Sequence, residues 1–156
     1  VSAHLDALDR IAVAARIPAE AKPTAGSPYS SPWVFAGDFH NWLAVINFGN
    51  IATDATVGAK LEQAQDDSGT GAKDIPGAAL TDFTDDGTAA SDDRLALIGL
   101  RTINMDTANG FGYLRATVTN DAGSSNIGVT LLGVDHRSGT AQDYNSDVKL
   151  TEVVQA

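Results

Sequence analysis

The chain has no cysteine among its 156 residues, which excludes a disulfide framework, thiol catalysis and cysteine-ligated zinc. Stability must come from packing or assembly. Positive charge is scarce: 10 Lys and Arg stand against 20 Asp and Glu, for a formal net charge of −10. The electrostatic footprint of a nucleic-acid or anionic-membrane binder is therefore missing, and neither partner is expected. Long apolar runs are lacking too. Stretches such as Trp42 to Phe48 fall far short of the roughly 20 residues that cross a bilayer, and no signal-peptide pattern opens the sequence, so a soluble chain is expected.

What is present fits one compact core, burying roughly 70% of the unfolded surface, with an arm attached. Ser2 to Arg16 places Leu5, Leu8, Ala12 and Ala15 at spacings of three and four, with Ser2 as N-cap and Pro18 as stop. That spacing predicts a short amphipathic helix. Its thin apolar stripe, with Leu5 and Leu8 as contacts, needs something to lie on. Four of the five prolines, Pro18, Pro23, Pro28 and Pro32, then fall between Ile17 and Trp33, the composition of an extended strap. Trp33, Phe35 and Phe39 follow, and Trp33 and Phe35 are candidate partner anchors, with capping of the core as the plainer role for all three aromatics. Residues 1–36 are thus read as a helix and Pro-rich docking arm, and residues 37–156 as the domain proper.

After residue 36 the texture changes to short strand-like runs separated by turn chemistry. Trp42 to Phe48 is nearly continuous apolar sequence ended by Gly49 and Asn50. Ile51 to Gln65 puts Val57, Ala59, Leu61 and Gln63 on one parity. Further runs cover Arg94–Met105, Phe111–Asn120, Asn126–Arg137 and Asp147–Val154. Asp121 to Ser125 are all turn formers, which predicts a hairpin between the runs on either side. The core is expected on Val45, Leu61, Leu97, Leu114, Val118, Val129 and Leu131. Six to eight short strands argue an all-β fold, an antiparallel β-sandwich of jelly-roll-like form.

Chemistry-bearing motifs are weak throughout. Asp82 to Asp93 sets oxygen side chains at loop positions 1, 3, 5 and 12 with Gly87 at 6, a partial echo of an EF-hand loop that lacks its bidentate Glu and flanking helices. Gly69 to Lys73 lacks phosphate-loop spacing, and Asp66, Asp67 and Asp74 would repel an anion, which leaves a hairpin tip. His4, His40 and His136 have no metal-ligand spacing. Asp135 and His136 are neighbours and would point to opposite faces of a strand. No catalytic residue, metal or cofactor is expected.

Three phrases, Gly58–Gly77, Arg101–Thr119 and Val129–Arg137, resemble small virion proteins of tailed bacteriophages, of the capsid decoration or cement kind. The resemblance covers about residues 40 to 137. It implies a non-enzymatic role in the virion, the major capsid protein as partner and assembly as a homo-oligomer, commonly a trimer. Other readings are a head-to-tail connector or tail-associated virion protein and, with Trp33, Trp42 or Tyr144 as stacking platforms, a carbohydrate-binding module.

Overall fold

In the computed structural model, which describes residues 7–88 and 92–138, alternating apolar side chains from two sheets meet across one core. A short helix α1 (Ala7–Arg10) leads into β1 (Ile11–Pro23), β2 (Tyr29–Ser30), β3 (Val34–Phe35), β4 (Phe39–Phe48) and β5 (Thr56–Ala64). Then come β6 (Lys73–Ala79), β7 (Phe83–Thr84), β8 (Arg94–Arg101), β9 (Tyr113–Asn120) and β10 (Ser124–His136). One sheet has the order β1-β10-β4-β8; the other runs β2-β9-β5-β6, with β3 also on β9 and β7 also on β5. Every pairing is antiparallel. If β2 with β3, and β6 with β7, are each counted as one interrupted strand, the chain crosses between sheets at every step but one. That is the winding of a jelly roll, as the sequence pattern leads one to expect.

Burial follows the pleat. Trp42, Ala44, Ile46 and Phe48 of β4 and Ile127, Val129 and Leu131 of β10 face Val57, Ala59 and Leu61 of β5 and Leu114, Ala116 and Val118 of β9. The parity expected for β5 holds, including a buried Gln63 whose Oε1 accepts the Asp106 N–H at 2.8 Å.

The N-terminal region differs from expectation. The described helix is only Ala7–Arg10, and Ile11–Pro23 forms a long strand. Leu5 lies outside the described residues, as does the Leu8 side chain. Ile11, Val13 and Ile17 are β-branched and favour a strand. The β1 register shifts between Val13 and Ala15 and again between Ile17 and Glu20, and the first shift leaves Ala14 and Ala15 both buried. A bulge of this kind breaks the period of two and leaves spacings that mimic a helix. Residues 11–35, assigned by their pattern to helix and strap, pair into both sheets.

Two further expectations are corrected. β9 and β10 do not form a hairpin: the turn near Gly123 (φ 59°) carries the chain from one sheet to the other, because the apolar faces of both strands are buried against each other across the core. Of the expected core residues, Leu97 is exposed and Val45 half-buried, both on the outer face, while Ile98 and Leu100 point inward. The run expected at Asp147–Val154 lies outside the described residues.

Candidate functional site

Four large apolar side chains stand exposed among the described residues: Leu95 (67%), Leu97 (58%), Ile103 (75%) and Phe35 (50%). Leu95 and Leu97 lie on β8, and Ile103 follows it directly. Phe35 joins Ile103 at one end of the sandwich, in a groove of about 860 Å³ lined also by His40, Arg101, Phe111 and Arg137. Gly37 and Gly112 seat the Phe35 ring: a Cβ on Gly37 would come within 2.5 Å of it. Tyr113 meets it edge-on at 5.5 Å.

The groove is biased toward positive charge within an acidic chain. Its carboxylate, Asp135, is held by Arg10 at 2.7 and 2.9 Å and by Asn41 at 3.3 Å, which leaves Arg101 and Arg137 as the cations of the lining. Arg137 is anchored by its backbone N–H to the Asp38 carbonyl at 2.9 Å. Apolar floor plus guanidinium rim suits a protein segment that offers apolar side chains and carboxylates.

Trp33 sits elsewhere. Arg115 lies over its ring at 4.4 Å, and the turn at Gly69 packs against its Nε1 edge, so it closes the outer face of the second sheet. There Arg115 donates to Glu62 at 2.7 and 2.8 Å, Lys60 bridges Glu62 at 3.1 Å and Asp74 at 2.6 Å, and the Thr117 hydroxyl donates to Glu62 at 3.1 Å. Burial pushes Glu62 up, but hydrogen bonds from Arg115 and Lys60 outweigh it and hold the carboxyl below its ordinary range. The hydrogen bond to Asp74 raises Lys60 against the smaller effect of burial. A carboxylate so saturated with donors is a poor proton carrier near neutrality. The ladder ties β5, β6 and β9 together.

The motifs weighed from sequence make local contacts where the structure describes them, which leaves out residues 89–91 of the acidic loop. The Asp66 carboxylate accepts from Ser68 N, Thr70 N and Thr70 Oγ1, and these bonds lower its pKa, that from Thr70 most. Lys73 pairs with Asp106 at 2.5 Å and lies 3.8 Å from the Phe111 ring centroid, making a hairpin tip between β5 and β6. Lys73 likewise lowers Asp106. In the acidic loop, Phe83 and Thr84 pair with β5 and Asp86 Oδ1 accepts from Thr88. No three His, Asp or Glu side chains group as a metal site among the described residues. Trp42 is buried, its Nε1 donating to the Ala36 carbonyl at 3.3 Å; Tyr144 and His4 lie outside the described residues. His136 packs edge-on to Phe39 at 5.0 Å while Asp135 faces Arg10, so they diverge as expected. No described helix is long and apolar enough to cross a membrane.

Of the expected anchors whose side chains are described, Trp33 and Phe35, only Phe35 lines the groove. Arg101, Ile103, Phe111 and Arg137 were missed, because residues scattered over about a hundred positions carry no local spacing signal. The fold and surface together define a class, an antiparallel jelly-roll sandwich with a basic, apolar end groove. No family model matches the chain, and no curated protein matches it.

Proposed function

We propose that this chain is a non-enzymatic binding protein of a tailed-phage virion, a decoration protein that stabilises the shell by docking the major capsid protein in its end groove. The observation that carries the reading is the gathering of Phe35, Ile103 and Phe111 with Arg101 and Arg137 on a chain of net charge −10. Two exposed apolar side chains are costly to leave in water, and beside guanidinium groups that meet no carboxylate among the described residues they suit a partner surface. The virion assignment itself rests on the sequence resemblance. Jelly rolls recur in viral capsid, lectin and cupin domains, so the fold does not choose among these.

The test is co-sedimentation of the full chain with shells assembled from a tailed-phage major capsid protein. Wild type should bind at a fixed number of copies per shell. Ile103→Asp, at a site where a charge costs the free chain little, should reduce binding by about tenfold or more with an unchanged melting temperature. Equal binding by Ile103→Asp and Phe35→Ser would remove the groove from the reading. Occupancy at a single vertex would replace decoration with the connector role.

A further inference from the structure

The two sheets present unlike outer faces. On the second sheet the outward positions hold Thr56, Lys60 and Glu62 of β5 and Arg115 and Thr119 of β9, the polar set expected of an antiparallel sheet with one face in water. The four-stranded sheet has the opposite character. Its register sets Val13, Leu132 and Leu43 in one outward row across β1, β10 and β4, and Val45 beside Leu97 in the next, across β4 and β8. These side chains are half-buried, apart from Leu97 at 58% exposure. With its inner face in the core as well, a sheet that is apolar on both sides suits a further layer.

The charges on this face have one sign. Arg16 stands at the β1 end of the Val45 row, and Arg101 at the β8 end of the row on the other side of Leu43. No carboxylate occupies any of these three rows. Around the rim, Asp135 is held by Arg10 at 2.7 Å, Arg94 lies over the Phe83 ring, and Asp93 precedes β8. Against a second copy the face would set arginines against arginines with no carboxylate in the rows to meet them. It suits a segment with apolar side chains and an excess of carboxylates.

The chain carries such a segment. Residues 139–156, outside the described residues, follow Ser138, which stands two positions past the end of β10, an interior strand of this same sheet. They hold Tyr144, Val148, Leu150, Val153 and Val154, with Asp143, Asp147 and Glu152 against the single cation Lys149. Fully extended, they would reach about 60 Å. Climbing to a layer roughly 10 Å above the sheet and running the length of a strand like β8, about 27 Å, uses less than two thirds of that reach. Tethered to the sheet, the segment meets the face at an effective concentration on the order of millimolar, where a weak contact suffices.

We propose that residues 139–156 fold back across the outer face of the four-stranded sheet of their own chain as a third layer, with their carboxylates toward Arg16 and Arg101. The proposal does not rest on the capsid reading.

The absence of cysteine lets a nitroxide be placed at a single site. On Thr151→Cys, a polar position within the apolar run, the label weakens nearby amide resonances with a steep dependence on distance. In the isotope-enriched full chain the amides of Leu43, Val45 and Leu132 should lose intensity several-fold relative to the reduced label. Those of Lys60, Glu62 and Thr119, on the far side of the sandwich, should keep theirs. Adding Val148→Asp and Leu150→Asp should restore the first set while the remaining peaks stay in place. Isotope-free, spin-labelled chain mixed with isotope-enriched wild type should cause no loss. Loss in that mixture gives the face to another copy's segment and overturns the proposal. Equal intensities on the two outer faces within one chain, or a loss that survives both aspartates, overturns it as well, the first by leaving the face to a different protein.

Discussion

Gly133→Ala sets two effects of opposite sign against each other. Within a strand, glycine is less favourable than alanine by about 0.5–1 kcal/mol, so propensity alone makes the substitution stabilising. Packing opposes it. A Cβ at residue 133 would lie 2.5–2.6 Å from the Phe39 ring, and Phe39 is buried with Trp42 edge-on at 5.2 Å and His136 at 5.0 Å. The ring cannot swing aside without moving both neighbours, and overpacking of this sort costs about 1–3 kcal/mol. The net is a loss of about 1–2 kcal/mol, or roughly 4 °C in Tm for a chain of this size. Gly58→Ala is the control: its methyl would fall on Oδ1 of Asp82, but Asp82 is an exposed side chain free to turn away. Its change should stay within about 0.5 kcal/mol. Urea unfolding followed by tryptophan fluorescence, with Trp42 beside the altered site, measures both. A Gly133→Ala chain as stable as wild type would refute the rigidity assigned to the Phe39 cluster.

Three other substitutions probe the charges. Glu62 has a lowered folded pKa, so its share of stability is present above the unfolded value of about 4.5 and is lost as pH falls through the folded value. Glu62→Gln should lower stability at pH 7 by roughly 1–2 kcal/mol and converge with wild type at acid pH; parallel curves of Tm against pH would contradict the ladder's role. Lys60, with a raised pKa, contributes below its unfolded value near 10.5 and loses that share as pH rises through the folded one. Lys22 is buried, with Glu20 at 2.9 Å and the Tyr29 ring centroid at 5.2 Å. Glu20→Ala should cost about 1–3 kcal/mol by stranding the ammonium, whereas Lys22→Met should be near neutral; thermal melts that rank them the other way would sink the pairing.

What the sequence made legible were features that depend on local periodicity or turn chemistry. The parity of Val57, Ala59 and Leu61 marked the buried face of β5 correctly, since a strand paired without interruption along β9 keeps its period. The same logic failed where geometry interrupts the period, as in β1, and where both parities are apolar. In β8, Leu95 and Leu97 compete with Ala96, Ile98 and Leu100, and alternation alone cannot say which set faces in. The loop at Asp121–Ser125 announced a reversal but not its plane. A reversal within one sheet and an arch between two sheets use the same turn formers, and only the need to bury Leu114 and Val118 against Ile127 and Val129 selects the arch.

The ambiguity in β8 and its place in the surface have one origin. A strand that is apolar on both faces reads poorly as an edge strand because a solvated edge has no use for Leu95 and Leu97 outside. β1 belongs to the same sheet and shows that this chain does blunt an edge, with proline, register shift and an inward lysine, where pairing is to be avoided. General composition therefore cannot account for the opposite edge, which nothing pairs with among the described residues, since both edges draw on the same residue supply. The difference between them is specific to position: β8 ends in an arginine on either side and holds no charge between them.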